Sequence, residues 1–422
     1  MKAVLSLALK SAWARRLTLG IVLVAIAIAS ALLLAVERVR HDARQSFTQS
    51  VSGVDLVVGA RSSGVQLMLY AVFRSGSATH NLRMDSFDAI VTNPAIDWAV
   101  PLILGDSHRG HPVLGTTPAY FERFRYADAR PLAFATGRPF AGGIAGVFEA
   151  VLGSEVARTL GYRSGDRITL THGMAAAGPG HEDKPFAIVG ILAPTGTPVD
   201  RTVHVSPEAI TALHLDWAGG APLPGLAIPA EQVRKFELAP QEITAALIGL
   251  KNRADVFRVQ RQINAYRGEA LMAVMPGVAL DELWQTLAAI ESTLFVLSAL
   301  VVAVGLAGLA ATLLAALDQR RRELAILRSL GASPGDLFFM LAGEALLVTA
   351  LGVILGIVLL AGASVLAAPL AREFGIHLSP GLPGGNEWTI LASILATGLA
   401  AGLIPGWRAW RMALADGLTP RN

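Results

Sequence analysis

Ser292–Leu317 reads STLFVLSALVVAVGLAGLAATLLAAL, 26 consecutive residues without one charged side chain. The hydrocarbon core of a bilayer is about 30 Å thick, and a helix that rises 1.5 Å per residue needs about 20 apolar residues to cross it. The stretch is therefore predicted to be a transmembrane helix. Three more uncharged windows reach this length or fall one residue short of it: Thr18–Val36, Ala345–Ala371 and Trp388–Trp407. The sequence thus predicts a membrane protein with one N-terminal span and three C-terminal spans.

The composition of the chain agrees with this class. Of the 422 residues, 53% are hydrophobic and only 16% are charged, and the mean hydropathy is +0.51, whereas about 25% of the residues of a soluble domain are charged. A purely soluble enzyme and a disordered protein are therefore excluded. There is no cysteine, which excludes a disulfide scaffold, thiolate metal sites and cysteine nucleophiles. The net charge of +3 does not indicate nucleic acid binding, because the basic residues cluster beside the spans.

The topology follows from basic residues in the short flanks of the spans, since Lys and Arg are retained on the cytoplasmic side. They dominate three flanks, at Lys2, Lys10, Arg15 and Arg16, at Arg320, Arg321, Arg322 and Arg328, and at Arg408, Arg411 and Arg421. The loop between the third and fourth spans instead holds Arg372 against Glu373 and Glu387. Both termini are predicted to be cytoplasmic, and the long segment after the first span periplasmic. A cleavable signal peptide over the first span is the alternative and leaves three spans in the same orientation.

These assignments give a predicted order of domains. They are a cytoplasmic amphipathic helix (1–17), the first span (18–36), a periplasmic α+β domain (37–286), the second span with a stalk-like extension (287–317), a cytoplasmic coupling segment (318–336), the third span (337–371), a periplasmic loop (372–387), the fourth span (388–407) and a cytoplasmic tail (408–422). The fold class is four transmembrane α-helices with a large α+β domain between the first two. A helical pattern runs from Leu280 to Arg328, and one continuous helix of that length would be about 73 Å long.

The predicted periplasmic domain alternates strands with helices. Apolar runs between turn residues predict strands at Val54–Val58, Ala99–Leu104, Pro112–Leu114, Ala150–Leu152, Arg167–Leu170, Phe186–Leu192, Thr202–Val205, Ile243–Gly249 and Leu271–Val274. Helical spacing predicts helices at Gln66–Phe73, Ser86–Thr92, Ala119–Phe124, Ser154–Leu160, Pro207–Leu213 and Ala254–Tyr266. The domain forms one unit or two lobes, and in the second case the Gly- and Pro-rich stretch Trp217–Pro229 separates the lobes or crosses between them.

Catalytic motifs are present only as fragments. No lysine follows a glycine, so the chain has no Walker A loop. Gly105-Asp106-Ser107 is similar to part of an esterase block, and His181-Glu182 begins a zincin pattern in which Pro185 occupies the second histidine position. Among the nine histidines, His108 and His111 are the candidates for a metal site. The other histidines considered are His172, His181, His204 and His214. Their irregular spacing favours solvated loop histidines, so no metal site is assigned.

Four stretches resemble a known family. Residues 319–333 read QRRRELAILRSLGAS and resemble the coupling segment of FtsX-like permeases, the membrane subunits of MacB-type (type VII) ABC systems. Residues 405–411, PGWRAWR, are similar to the closing segment of that family, although the usual later proline is missing from residues 411–414. Residues 151–157 (VLGSEVA) and 164–170 (SGDRITL) resemble a MacB-like periplasmic core domain. The layout of one plus three spans is also that of the family.

The resemblance implies a partner and a site. A cytoplasmic ABC ATPase binds ATP and Mg²⁺ and receives the coupling segment in a groove, and this chain itself has no cofactor and no catalytic residue. The coupling residues implied are Arg322, Glu323, Ile326, Leu327, Arg328, Gly331 and Ala332. Ser333-Pro334-Gly335-Asp336 is predicted to cap the next helix after a break at Gly331. The implied assembly is a dimer with a second copy or a paralogue, together with a periplasmic adaptor or substrate protein.

The expected function is that of an inner-membrane permease subunit that converts ATP hydrolysis by a partner into periplasmic motion, for efflux or for export or extraction of a lipoprotein or lipid. Two alternatives remain open at this point. One is an FtsX-like regulator of a periplasmic enzyme. The other, from a different class, is a membrane-anchored esterase or metal-dependent hydrolase, which would act without an ATPase.

Overall fold

The computed structural model describes residues 16–173, 180–218, 221–223, 228–319, 328–329, 333–373 and 381–411. The α-helices in chain order are α1 (Arg16–Gln49), α2 (Gly64–Ala71), α3 (Met84–Val91), α4 (Ala119–Arg123), α5 (Ser154–Leu160), α6 (Pro207–Leu213), α7 (Ala230–Val233), α8 (Val256–Asn264), α9 (Pro276–Gln319), α10 (Pro334–Glu373) and α11 (Asn386–Arg411). Four of them, α1, α9, α10 and α11, are long and apolar enough to cross a membrane, which confirms the four predicted spans.

The chain divides into two compact units: a membrane unit of residues 1–43 and 287–422, and an inserted domain of residues 44–286. α9 is one helix of 44 residues, about 66 Å in length. It confirms the predicted long helix up to Gln319, whereas residues 320–327 lie outside the described part of the chain. The predicted N-terminal amphipathic helix also lies outside the described residues, except for its end at Arg16.

Small residues allow α10 and α11 to approach closely within the membrane unit. A Cβ atom added at Gly398 of α11 would lie 2.6 Å from Cγ2 of Thr349, and one added at Gly402 would lie 2.5 Å from Cβ of Ala345. Because the two glycines are four residues apart, both occupy the same face of α11. This is the small-residue spacing with which membrane helices pack at short distance.

A buried ion pair joins the end of the first span to the start of the fourth. Arg38 donates from Nε to Oε1 of Glu387 and from Nη2 to Oε2, at 2.8 Å each, and both side chains are less than 10% exposed (7% and 8%). Glu387 was predicted to end a periplasmic loop over 372–387, but the structure places it in the first turn of α11, which begins at Asn386. The helix therefore begins two residues before the predicted span, and its first turn carries the charge of Glu387.

The inserted domain is built on one mixed sheet of eleven strands. In chain order they are β1 (Leu56–Ala60), β2 (Ile96–His108), β3 (His111–Thr116), β4 (Phe134–Gly137), β5 (Glu149–Leu152), β6 (Arg167–Ile168), β7 (Thr171–His172), β8 (Phe186–Leu192), β9 (Val203–Val205), β10 (Ala245–Leu250) and β11 (Leu271–Val274). The order across the sheet is β11-β1-β10-β2-β3-β9-β5-β8-β4, with β7 beside β2 and β6 beside β8. The pairs β3–β9 and β5–β8 are parallel, and the other pairs are antiparallel.

Both faces of the sheet are covered, as the alternation of side chains along its strands shows. Val57 of β1 belongs to one buried cluster with residues of α2 and α4, whereas its neighbours Leu56 and Val58 belong to another with residues of α3 and α8. Successive side chains of a strand point to opposite faces, so each face has its own core. A third cluster lies around β5, β8 and β9, where α5 and α6 cover the sheet.

All nine predicted strands and all six predicted helices are present, with shifts of a few residues at their ends. β8 and β11 have the predicted bounds, as do α5 and α6. The sequence missed short strands such as β4 and β7, because two to four residues are too few for a recognisable alternation. The stretch Trp217–Pro229 contains a small strand pair outside the main sheet.

Candidate functional site

The structure describes the edges of the predicted coupling segment. Arg328 lies in a helical stretch of residues 328–329, and the other six predicted coupling residues lie outside the described residues: Arg322, Glu323, Ile326, Leu327, Gly331 and Ala332. At the start of α10, the amide of Asp336 donates to Oγ of Ser333 at 3.2 Å, and the amide of Ser333 donates to Oδ2 of Asp336 at 2.8 Å. This reciprocal pair is a capping box. It confirms the predicted cap, so a new helix begins directly after the segment.

A second candidate site lies in the inserted domain, at a bulge of β2. The register of β2 against β3 shifts between Leu104 and Ser107, so that Gly105 and Asp106 together face a single residue of β3. Bulges re-aim side chains and occur often beside functional sites. Here Asp106 is only 2% exposed, and its carboxylate meets histidines from two other segments. We call Asp106, His172, His181 and His214 the His/Asp cluster.

Strand pairing and a helix end bring three members of the His/Asp cluster together. β7 pairs with β2 so that His172 lies directly opposite Asp106, and His214 follows the last residue of α6. Oδ1 of Asp106 lies 3.1 Å from Nδ1 of His172 and 3.5 Å from Nε2 of His214, and these two nitrogens are 3.0 Å apart. These three atoms, each of which can bind a metal ion when deprotonated, thus form a nearly equilateral triangle.

The fourth member of the cluster, His181, is buried. It is 1% exposed, and neither ring nitrogen has a partner within the described structure. One nitrogen of His181 lies in the same group of ligand atoms, all of which are within 4.8 Å of one another. Burial lowers the pKa of His181 to about 4, so its imidazole is neutral at physiological pH.

Hydrogen bonds and ring contacts hold these side chains in place. Nδ1 of His214 lies 2.8 Å from the carbonyl oxygen of Ile210 and can donate to it. In the neutral tautomer that makes this bond, Nε2 has no proton and its lone pair can bind a metal. Burial opposes protonation of His214, but the hydrogen bond and charge of Asp106 outweigh this and raise its pKa. The ring of Trp217 lies 4.3 Å from that of His181, centroid to centroid.

A buried cation next to the cluster is neutralised by its own partners. Lys184 is completely buried, and its Nζ donates to Oδ2 of Asp216 at 3.0 Å and to Oδ2 of Asp183 at 2.8 Å. Asp216 also accepts from the amide of Ile228. On another side, Asp106 lines a cavity of about 650 Å³ together with residues that include Tyr70, Arg74, Asn81 and Thr244.

The histidines that the sequence singled out have other contacts. Nδ1 of His108 lies 2.6 Å from the carbonyl oxygen of Thr169, and Nε2 lies 3.1 Å from the hydroxyl of Tyr162. His111 is opposite His108 in the β2–β3 hairpin. Neither is a member of the His/Asp cluster, so the structure brings together a set of ligands that sequence proximity did not indicate.

Ser107, the serine of the esterase-like fragment, forms its hydrogen bonds with residues other than the histidines. Its Oγ donates to the carbonyl oxygen of Gly173 at 2.6 Å and lies 3.0 Å from the hydroxyl of Thr171. The histidines contact Asp106 instead. Within the described residues, no base is positioned to activate this hydroxyl, which a nucleophilic serine requires.

A different histidine makes the inserted domain sensitive to acid. His204 is completely buried against Tyr120, and burial lowers its pKa to about 3. The unfolded chain takes up this proton near pH 6.5. The contribution of neutral His204 to the free energy of unfolding is therefore complete above pH 6.5. It decreases as the pH falls towards 3, and about 2 kcal/mol of it is lost at pH 5. Between pH 7.5 and 5 we expect the Tm of the wild type to fall about 4–8 °C more than that of His204→Leu, measured by tryptophan fluorescence. Equal falls would contradict this assignment.

Four membrane-spanning helices with a large mixed domain between the first and second define a polytopic membrane protein. The sequence model of the MacB-like periplasmic core domain matches residues 17–266, and that of the FtsX-like permease C-terminal region matches residues 295–414. The chain therefore belongs to the family of MacB-type, FtsX-like ABC transporter permeases.

Two solved structures are among those similar to the chain. The periplasmic region of MacB from Actinobacillus actinomycetemcomitans is 10% identical, with a TM-score of 0.33, and the match covers 57% of this chain and 94% of that one. The extracellular domain of the noncanonic ABC-type transporter YknZ from Gram-positive bacteria is 11% identical, with a TM-score of 0.30, and the match covers 52% of this chain and 99% of that one. A search of curated proteins gave no match.

Proposed function

We propose that this chain is the non-catalytic membrane subunit that transmits the work of a separate cytoplasmic ATPase to its own periplasmic domain. The observation that carries the proposal is the match to the FtsX-like permease C-terminal region over residues 295–414, which includes the segment between α9 and α10. The family comprises ABC transporter permeases, and the sequence has no Walker A loop with which to bind the nucleotide itself.

The chemistry of the coupling segment suits a docking element. Residues 322–328 interleave charged side chains with Leu324, Ile326 and Leu327. A short amphipathic stretch of this kind can place apolar anchors in a groove and keep its charges at the rim. The capping box at Ser333 starts α10 immediately afterwards, so that a displacement of the segment reaches a membrane-spanning helix within a few residues.

The proposed direction of transmission is outward. With both termini and the coupling segment in the cytoplasm, as the basic flanks predict, the inserted domain lies in the periplasm. Each of the four spans contains a long window without any charged residue. Ion-coupled transporters, in contrast, place ionisable residues inside the membrane, so these spans do not indicate ion-coupled transport. We propose that a dimer with a second copy or a paralogue moves its periplasmic domains, without passing substrate through the bundle.

The coupling segment provides the test. Burying one apolar anchor contributes about 1.5–3 kcal/mol, so Leu327→Asp is expected to weaken association with the ATPase about ten- to a hundredfold. Glu323→Lys, which reverses a rim charge, is expected to lower ATP turnover in the same complex. The measurements are co-purification with the ATPase encoded nearest to this gene, and ATP turnover after reconstitution in a bilayer.

Matched controls come from the inserted domain. Val91→Asp replaces an exposed apolar residue by aspartate, and Glu237→Lys makes the same charge reversal at an exposed position. Both should leave complex yield and turnover unchanged. If the two coupling variants behave like their controls, the segment does not dock on the ATPase. Hydrolysis of ATP by the purified chain alone would contradict the proposal as a whole.

A further inference from the structure

The His/Asp cluster has the geometry of a metal site. Four ligands at about 2.0–2.1 Å in a tetrahedron around zinc lie about 3.3 Å from one another. The three distances between Asp106 Oδ1, His172 Nδ1 and His214 Nε2 are 3.0, 3.1 and 3.5 Å. These atoms already form one face of such a tetrahedron, and a ring nitrogen of His181 lies within 4.8 Å of each of them.

The unpartnered imidazole of His181 is a second, independent observation. A buried polar group without a hydrogen bond costs about 1–3 kcal/mol, and among the described residues neither nitrogen of His181 has a hydrogen-bond partner. His172 and His214 place two ring nitrogens 3.0 Å apart, although at most one of these atoms can donate to the other. A cation between the four side chains satisfies the lone pairs of all of them at once.

One hydrogen bond of His214 is of the kind that supports a metal-binding histidine. Histidines that bind metals usually donate their other ring nitrogen to a carbonyl or carboxylate, which fixes the tautomer. The contact of His214 Nδ1 with the carbonyl oxygen of Ile210 provides this. The ring of Trp217 covers His181, and Lys184 is held by Asp183 and Asp216, so that no unpaired lysine charge opposes a cation.

We infer that Asp106, His172, His181 and His214 bind one divalent transition-metal ion, Zn²⁺, in the inserted domain. Three imidazoles and one carboxylate are the donors that Zn²⁺ takes in four-coordinate sites, whereas Ca²⁺ and Mg²⁺ require mostly oxygen ligands. His172 is about one third exposed (34%), and Asp106 also lines the neighbouring cavity, so the ion can exchange with its surroundings. The inference does not depend on the coupling to an ATPase.

Binding is tested with the full chain, purified in detergent and stripped with a chelator. Zn²⁺ titrated by calorimetry should bind at one ion per chain, and Ca²⁺ and Mg²⁺ should not compete with it. His181→Ala and His214→Ala should each weaken Zn²⁺ binding at least a hundredfold, and Asp106→Asn at least tenfold, since even loss of a supporting group typically costs ten- to a hundredfold. His80→Ala, at an exposed histidine outside the cluster, is the matched control and should bind like the wild type.

Co²⁺ provides a readout of geometry that does not require any variant to fold. The wild-type chain with Co²⁺ should show the intense visible absorption of a tetrahedral ion, and Zn²⁺ should abolish it. Thermal unfolding without metal shows which variants retain the fold, and only those are compared. Three results would overturn the inference. The wild-type protein binds no Zn²⁺, its Co²⁺ form gives the weak spectrum of an octahedral ion, or all folded variants bind Zn²⁺ within tenfold of the His80→Ala control.

Discussion

Arg38→Ala is expected to lower the free energy of unfolding of the membrane unit by about 3–5 kcal/mol, because it leaves the carboxylate of Glu387 buried without its partner. The two side chains form a doubly hydrogen-bonded pair with almost no exposure. Glu387→Ala should cost a similar amount. Unfolding in mixtures of mild detergent and dodecyl sulfate, followed by tryptophan fluorescence, measures the difference.

The same helix supplies the control for this prediction. Arg40 donates to Glu37 at 2.8 Å, but its side chain is 34% exposed, so water can take its place beside the Glu37 carboxylate, which also keeps its hydrogen bond from Asn386. Arg40→Ala should therefore cost about 1 kcal/mol or less. The double variant Arg38→Met/Glu387→Leu removes both charges together and should recover most of the loss. A cost for Arg38→Ala no larger than that for Arg40→Ala would show that the buried pair does not stabilise the bundle.

Gly402→Leu is expected to destabilise the packing of α10 against α11 by about 3 kcal/mol, at the upper end of the usual cost of overpacking. Its new side chain would have to enter space occupied by Ala345 and by the backbone of Ala342, whose Cα lies 3.3 Å from the position of an added Cβ. Gly398→Leu, against Thr349, should have a comparable effect. The detergent unfolding assay applies here as well.

Two glycines of α10, Gly343 and Gly362, provide the control for these two variants. Among the residues that the structure describes, no atom of another element lies within 4 Å of a Cβ added at Gly343 or Gly362, so leucine is expected to fit there. Gly343→Leu and Gly362→Leu should be neutral or slightly stabilising, because glycine is about 1 kcal/mol worse than leucine within a helix. Equal losses at all four glycines would mean that backbone flexibility, and not close helix contact, explains their presence.

The fold was predictable where the signal is local. The four spans are predicted by runs without charged residues. The start of α6 is predicted by Ser206 and the proline that follows it, and in the structure Oγ of Ser206 accepts from the amide of Ala209. β8 is a run of apolar residues that begins directly after Pro185. In each case the residues that decide the structure are neighbours in the chain.

The His/Asp cluster was not predictable, because its parts meet only through the topology of the sheet. Asp106 and His172 are opposite each other since β7 pairs with β2 in one register, and a shift of one residue would turn His172 to the other face. His214 depends in addition on where α6 ends. The sequence favoured His108 and His111 for their proximity in the chain, whereas a metal site depends on proximity in space. Gly105, directly after the predicted strand Ala99–Leu104, was a local signal, because a glycine in a strand often marks a bulge.

The position of β1 in the sheet has a consequence for synthesis of the protein. β1 lies between β10 and β11, and Leu56 pairs with Ile248, about 190 residues further along the chain. At about 5–20 residues per second, a ribosome needs about 10–40 s to make the missing partner. Throughout that interval the first strand has two open edges, which are templates for pairing with other chains. We therefore expect newly made protein to need a chaperone that shields this strand until translation has nearly reached the second membrane span.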